Sequence, residues 1–119
     1  MIEPDRVLGR TLTEALEEAG HQVDHRRDSQ QALDGVDQHS PDVIVLEPQL
    51  GKHNGVEFLY ELRSHTDWLN VPVVIHATNQ QVLEPEFEKA WKQLGVKQIL
   101  YKPETSVARL KKVVSEIVK

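Results

Sequence analysis

The sequence predicts an α/β domain in which a parallel sheet is covered by helices on both faces. Three observations carry that expectation. The hydrophobic period alternates along the chain between a helical and a strand-like pattern. Two strand-like runs, DVIVLE (42–47) and VPVVIH (71–76), are apolar on both faces, as strands buried between two helical layers must be. Helical stretches separate the strand-like ones, and such alternation closes as parallel strands joined by right-handed crossovers. A chain of 119 residues has room for one domain, 1–119, with a single core.

Taken in order, only Met1 and Ile2 precede the acidic stretch Glu3-Pro4-Asp5, so a first strand is short. Leu8, Leu12, Ala15, Leu16 and Ala19 recur at helical spacing and stop at Gly20. They place a helix from about Arg6 to Ala19, with Arg10, Glu14, Glu17 and Glu18 in solvent. HQVDH (21–25) is a polar strand candidate. Ser29 is positioned to cap a second helix reaching about Gln38, with Ala32, Leu33 and Val36 inward, and Ser40-Pro41 ends it. DVIVLE leads into a loop built from Pro48, Gly51, Asn54 and Gly55, then a helix from Val56 to about Ser64 with Phe58, Leu59 and Leu62 facing in. VPVVIH precedes a helix from Glu84 to Leu94, with Phe87, Ala90, Trp91 and Leu94 on one face and Gly95 as its stop. VKQILY (96–101) and a last helix from about Thr105 complete the alternation.

Composition excludes several functions. A net charge of -5 argues against a general phosphate-backbone binder, so no direct nucleic-acid partner is expected. The absence of cysteine removes disulfide scaffolds, thiolate catalysis and Cys-based zinc sites, and fits a reducing compartment. MIEPDRVLGR lacks the apolar stretch of a signal peptide, and no apolar run approaches the roughly 18 residues needed to span a bilayer. The expectation is a soluble, cytoplasmic protein without membrane contact.

Open α/β sheets bind ligands beyond the carboxyl ends of their strands. Glu3 and Asp5 follow the first strand, Glu47 the third, Ala77 and Thr78 the fourth, and Lys102-Pro103 the fifth. Singly, each charge is an ordinary solvated loop residue. Together, two or three carboxylates and a lysine converge on one edge.

The segments DVIVLEPQLGKHNGVEFLYELR, VPVVIHAT and YKP, in that order and spacing, resemble the receiver domain of two-component response regulators. The resemblance covers essentially the whole chain. It implies a flavodoxin-like (CheY-like) doubly wound three-layer sandwich, with a five-stranded parallel sheet of order 2-1-3-4-5 whose first strand is truncated here. It also implies an acidic pair and a phosphoacceptor Asp that hold Mg²⁺, and a hydroxyl residue and a Lys-Pro lysine that contact the phosphoryl group. Lys102 matches that lysine. The acidic pair falls on Glu3 and Pro4, with Asp5 one residue on, and the phosphoacceptor position is Glu47. The switch position is Ala77, with the hydroxyl one residue later at Thr78, where alternation would point it the other way if the strand continued. The coupled aromatic position falls on Ile99, with Tyr101 two residues on.

These departures change the expected chemistry. In-line phosphoryl transfer depends on position and on charge neutralisation by metal, and the extra methylene of Glu47 displaces its oxygens by about an ångström. Pro4 removes one metal carboxylate, which leaves Glu3, Asp5, Glu47 and the Gln49 carbonyl as weak Mg²⁺ candidates and no other cofactor. The expected protein is an atypical pseudo-receiver, not an enzyme. It signals through protein contacts without Asp phosphorylation, and Glu47 is a permanent charge reaching toward Lys102. The alternative is a Mg²⁺-dependent receiver that takes a phosphoryl group at Glu47. A flavin or dinucleotide protein needs a Gly- or Ser/Thr-rich phosphate loop after the first strand, where EPDRVLG is acidic and bulky.

The partners implied are a histidine kinase or a downstream effector. The face of the fourth helix, fifth strand and last helix, with Glu88, Lys92, Lys97, Gln98, Arg109 and Lys112, is the implied dimer or partner surface. His76 ends the fourth strand beside the site, where a hydrogen-bonded structural histidine is commoner than a pH switch, whereas His21 and His25 flank a strand and form no helical metal face. The family carries a longer apolar run before its acidic pair. The native chain is therefore expected to begin upstream of Met1, or its first strand to be completed by a partner.

Overall fold

The computed structural model describes residues 1–51 and 53–119. The order is α1 (Arg6–Glu18), α2 (Ser29–Gln38), β1 (Ile44–Leu46), β2 (Gln49–Leu50), β3 (His53–Asn54), α3 (Gly55–Arg63), β4 (Val73–Ala77), α4 (Pro85–Gln93), β5 (Val96–Tyr101) and α5 (Val107–Ile117). Single 3-10 turns occupy Thr66–Trp68, Gln80–Leu83 and Lys102–Glu104. Strands β1, β4 and β5 form a parallel sheet in the order β1-β4-β5, while β2 and β3 pair as a small antiparallel hairpin in the loop after β1.

Strand parity divides the core into two layers. Ile44, Leu46, Val73, Ile75 and Ala77 pack on one side with Ala32 and Val36 of α2, Phe58, Leu59 and Leu62 of α3, and Trp91 of α4. Val45, Val74 and Leu100 pack on the other with Leu12 and Leu16 of α1 and Leu110, Val113 and Val114 of α5. Residues two apart point to the same face, so a strand apolar at every position feeds both layers. Leu46, Leu59 and Leu62 are fully buried, and each such side chain contributes roughly 1.5–3 kcal/mol relative to exposure.

The sequence predicts five strands in the parallel sheet, and among the described residues three form it as regular strands. HQVDH is not a strand. The first segment meets the sheet at one residue, Ile2, which makes parallel bridges to Leu46 on one side and Arg26 on the other. Its N–H donates to Val45 O at 2.7 Å, Glu47 N–H donates back to Ile2 O at 3.0 Å, and Arg26 N–H donates to Met1 O at 2.9 Å. A ladder requires a neighbour along its whole length, and so short a first segment supports one bridge on each side.

Other local expectations are corrected. Asp28, not Ser29, caps α2 by accepting from Gln31 N–H, while Ser106 caps α5, which begins at Val107 rather than Thr105. Phe87 is exposed. The 3-10 turn before α4 buries Val82 ahead of Trp91, whose indole N–H donates to Val82 O at 3.2 Å, so the inward stripe of α4 starts a turn later.

Arg63 ends α3 with all of its hydrogen bonds on main-chain carbonyls: Nε to Leu94 at 3.0 Å, Nη1 to Trp68 at 2.7 Å and Nη2 to Val71 at 2.7 Å. Gly95 makes this possible, since its φ of 77° favours glycine and an added Cβ would lie 2.6 Å from Arg63 Nη2.

Candidate functional site

Four elements end at the carboxyl edge of the sheet, and each delivers one polar group. Glu3 follows the bridge at Ile2, and Glu47 follows β1 with its backbone held by Ile2 O. Thr78 follows β4, and Lys102 follows β5 at the start of a 3-10 turn whose next residue is Pro103. Both carboxylates are deeply buried, Glu3 at 2% exposure and Glu47 at 3%. Buried carboxylates need charge and hydrogen-bond compensation, and these receive both. Lys102 Nζ donates to Glu3 Oε1 at 2.5 Å and to Glu47 Oε1 at 2.9 Å, and lies 3.3 Å from Thr78 Oγ1. The Thr78 hydroxyl and its N–H, the latter at 2.9 Å, also donate to Glu47 Oε1. The remaining oxygens are taken as well: Gln49 N–H donates to Glu47 Oε2 at 3.2 Å, and Asp5 N–H to Glu3 Oε2 at 3.0 Å.

The structure thus brings together Glu3, Glu47, Thr78 and Lys102. The strand does not continue to Thr78: β4 ends at Ala77, the backbone bends at Thr78, and parity no longer governs where its hydroxyl points. Ala77 is fully buried and packs in the α2–α3–α4 layer, and Ile99 is half-buried against that layer. Asp5 does not join the cluster. Its carboxylate caps α1 by accepting from Leu8 N–H at 3.0 Å.

His76 is buried in β4 beside the cluster. Burial and the nearby Lys102 push its pKa down to about 4, with Glu47 opposing weakly, so it is neutral at neutral pH. His25 sits against the first segment: its Nε2 lies 2.9 Å from the main-chain oxygen of Glu3, and its ring packs where a Cβ on Gly9 would overlap it. The one sequence signal for that contact is a glycine inside an otherwise regular helical pattern. His21 pairs with Ser115 Oγ at 3.1 Å, far along the chain.

The fold family implies Mg²⁺ at this edge, and the residues present do not fit it. Mg²⁺ demands near-octahedral oxygens at about 2.1 Å, usually including one or two carboxylates. Here Glu47 Oε1 is taken by Thr78 and Lys102, Pro4 offers no side-chain donor, and Asp5 is engaged as a helix cap. Among the described residues no group of three or more His, Asp or Glu side chains is arranged to hold a metal.

A cavity of about 1090 Å³ lies elsewhere, between the 21–26 and 41–45 segments under Ile2; Glu3, Glu47, Thr78 and Lys102 do not line it. Among the described residues no helix is long and apolar enough to cross a membrane.

Comparison with known proteins agrees with this fold. The chain is 27% identical over 84 residues to the response regulator MprA of Mycolicibacterium vanbaalenii and equally to that of Mycobacterium avium, a match covering 71% of this chain and 36% of those proteins. The match thus spans little more than a third of the length of these curated relatives. Among solved structures it resembles a sensor protein from Polaromonas sp. JS666, with a TM-score of 0.86 and 24% identity over 98% of this chain and 91% of that one. The Vibrio cholerae chemotaxis protein CheY4 is similar too, with a TM-score of 0.86 and 22% identity over 98% and 93% of the two chains. The sequence profile of the response regulator receiver domain matches residues 1–115, and the chain belongs to that family.

Proposed function

We propose that residues 1–119 act as one cytoplasmic, receiver-type module of two-component phosphorelay signalling that works through protein contacts without Asp phosphorylation. The carrying observation is the closed cluster around Glu47, whose carboxylate is 97% buried and takes hydrogen bonds from Thr78, Lys102 and Gln49. A phosphoryl acceptor must present a free oxygen in line with the donor and be assisted by a cation at the transferring group. Glu47 Oε1 is already engaged by Thr78 and Lys102 and Pro4 takes away one metal carboxylate, so Glu47, Thr78 and Lys102 instead make a permanent charge and hydrogen-bond set at the family's phosphoacceptor edge.

In this reading Ala77 stands at the switch position without a hydroxyl, Thr78 supplies it from the next residue, and Ile99 replaces the coupled aromatic. The segments at Ile2 and Arg26 stand for the central and edge strands of a five-stranded sheet in the order 2-1-3-4-5. A histidine kinase or downstream effector is the partner class, and α4, β5 and α5 form the surface for it or for a second copy. Phe87 and Leu83, exposed beside that surface, support this placement.

The test is incubation with acetyl phosphate and Mg²⁺, followed by intact mass and amide NMR with beryllofluoride. The expected result is no phosphoryl adduct and no coupled shifts at Glu3, Glu47, Ala77 and Lys102. An adduct at Glu47 would replace this reading with a Mg²⁺-dependent acceptor.

A further inference from the structure

We infer that the Lys102 ammonium is the built-in cation of this pocket, paired with both Glu3 and Glu47, and that the pocket is consequently metal-independent. The inference rests on the proposed view of Glu47 as an unmodified, permanently engaged carboxylate.

Hydrogen-bond stoichiometry is the first argument. An ammonium has three N–H donors and no acceptor. Lys102 Nζ has three oxygens within reach, Glu3 Oε1 at 2.5 Å, Glu47 Oε1 at 2.9 Å and Thr78 Oγ1 at 3.3 Å, so its donors match its acceptors. No N–H is left for water, and no carboxylate oxygen is left without a donor.

Location is the second. The Lys102 side chain is 14% exposed and its two carboxylate partners 3% each. At such depth attraction between opposite charges is much stronger than on the surface, and an uncompensated carboxylate is correspondingly costly. A cation between Glu3 and Glu47 compensates the burial of both, and the chain itself supplies one.

Tethering is the third. Lys102 is fixed at the end of β5, in a 3-10 turn continued by Pro103, so the ammonium re-enters the pocket as an intramolecular ligand at high effective concentration. A metal ion entering from solution would have to displace it and shed tightly held water, which Mg²⁺ does reluctantly. The same ammonium holds the Thr78 oxygen, so the hydroxyl next to the switch position is engaged whether or not metal is present.

The experiment uses Mn²⁺ as a paramagnetic probe and Mg²⁺ as its diamagnetic counterpart, on the whole chain and on Lys102→Ala. In the native chain, amides of Glu3, Glu47 and Thr78 should show no saturable, site-specific broadening by Mn²⁺, and Tm should be unchanged by Mg²⁺ up to about 10 mM. In Lys102→Ala the two carboxylates lose their cation, so Tm should fall by several degrees, recover with Mg²⁺, and the same amides should broaden with Mn²⁺. Folding of this variant only when Mg²⁺ is supplied would be the same result in stronger form. Should it fold in neither condition, Lys102→Gln, which keeps a hydrogen-bond donor, is read in the same way.

Saturable local broadening in the native chain would overturn the inference, as would a folded Lys102 variant blind to both ions. Metal binding without a phosphoryl adduct would overturn metal independence alone, whereas an adduct on Glu47 would overturn the functional reading beneath it.

Discussion

Arg63 and Lys102 hold opposite edges of the same sheet by different chemistry. Arg63 reaches carbonyls just ahead of the strands, Val71 before β4 and Leu94 before β5. Lys102 lies just past β5 and reaches Thr78 just past β4, together with two carboxylates. The guanidinium is a rigid fork that satisfies several neutral acceptors at once, and burial alone pulls its pKa below the ordinary arginine value. Nothing about that clasp changes when a proton or metal arrives. The ammonium, by contrast, balances formal charges, so its edge of the sheet answers to any change of charge nearby. One edge is built for stability and the other for state.

The largest expected effect breaks the charged edge. Lys102→Met leaves Glu3 and Glu47 buried without a cation and should cost about 3–5 kcal/mol in urea unfolding. A loss below 1 kcal/mol would show that water already satisfies the carboxylates. Arg63→Ala should cost about 2–3 kcal/mol through three orphaned carbonyls. Arg63→Lys should recover little, because a point charge cannot address all three. Amide shifts around Thr78 should stay put in both Arg63 variants, and large shifts there would erase the distinction between the edges.

Acid sharpens the same contrast. His76 has a folded pKa of about 4 against an ordinary 6.5, so between those values the unfolded chain binds the proton first. Its contribution to stability is complete above about pH 6.5 and is lost as pH falls toward about 4. Tm measured across that window should drop, and His76→Phe should flatten the slope while Arg63→Ala should leave it. The smallest effect belongs to Thr78. Thr78→Val removes one hydroxyl donor and should cost about 1 kcal/mol, with Thr78→Ser restoring it, and equal stability of all three would remove the hydroxyl from the cluster's support.

The sequence by itself determined the alternation of helices and strands, the two-sided burial of the 44–46 and 73–77 segments, and the convergence of Glu3, Glu47 and Lys102. Each follows from local periodicity, or from the rule that parallel strands end on one edge. Tertiary structure decided what depended on neighbours distant in the chain. HQVDH forms no strand, and among the described residues the short segment at Ile2 bridges only the neighbouring Arg26 on that side. Phe87 is left outside because Val82 fills the space before Trp91. Thr78 joins the site because β4 stops one residue before it, and alternation holds only while a strand continues. Arg63 showed no sign of its role, since its carbonyl partners lie up to 31 residues away and any residue can supply a carbonyl. Periodicity reads where side chains point, whereas the length of a ladder and the partners of a buried charge are properties of the packed molecule.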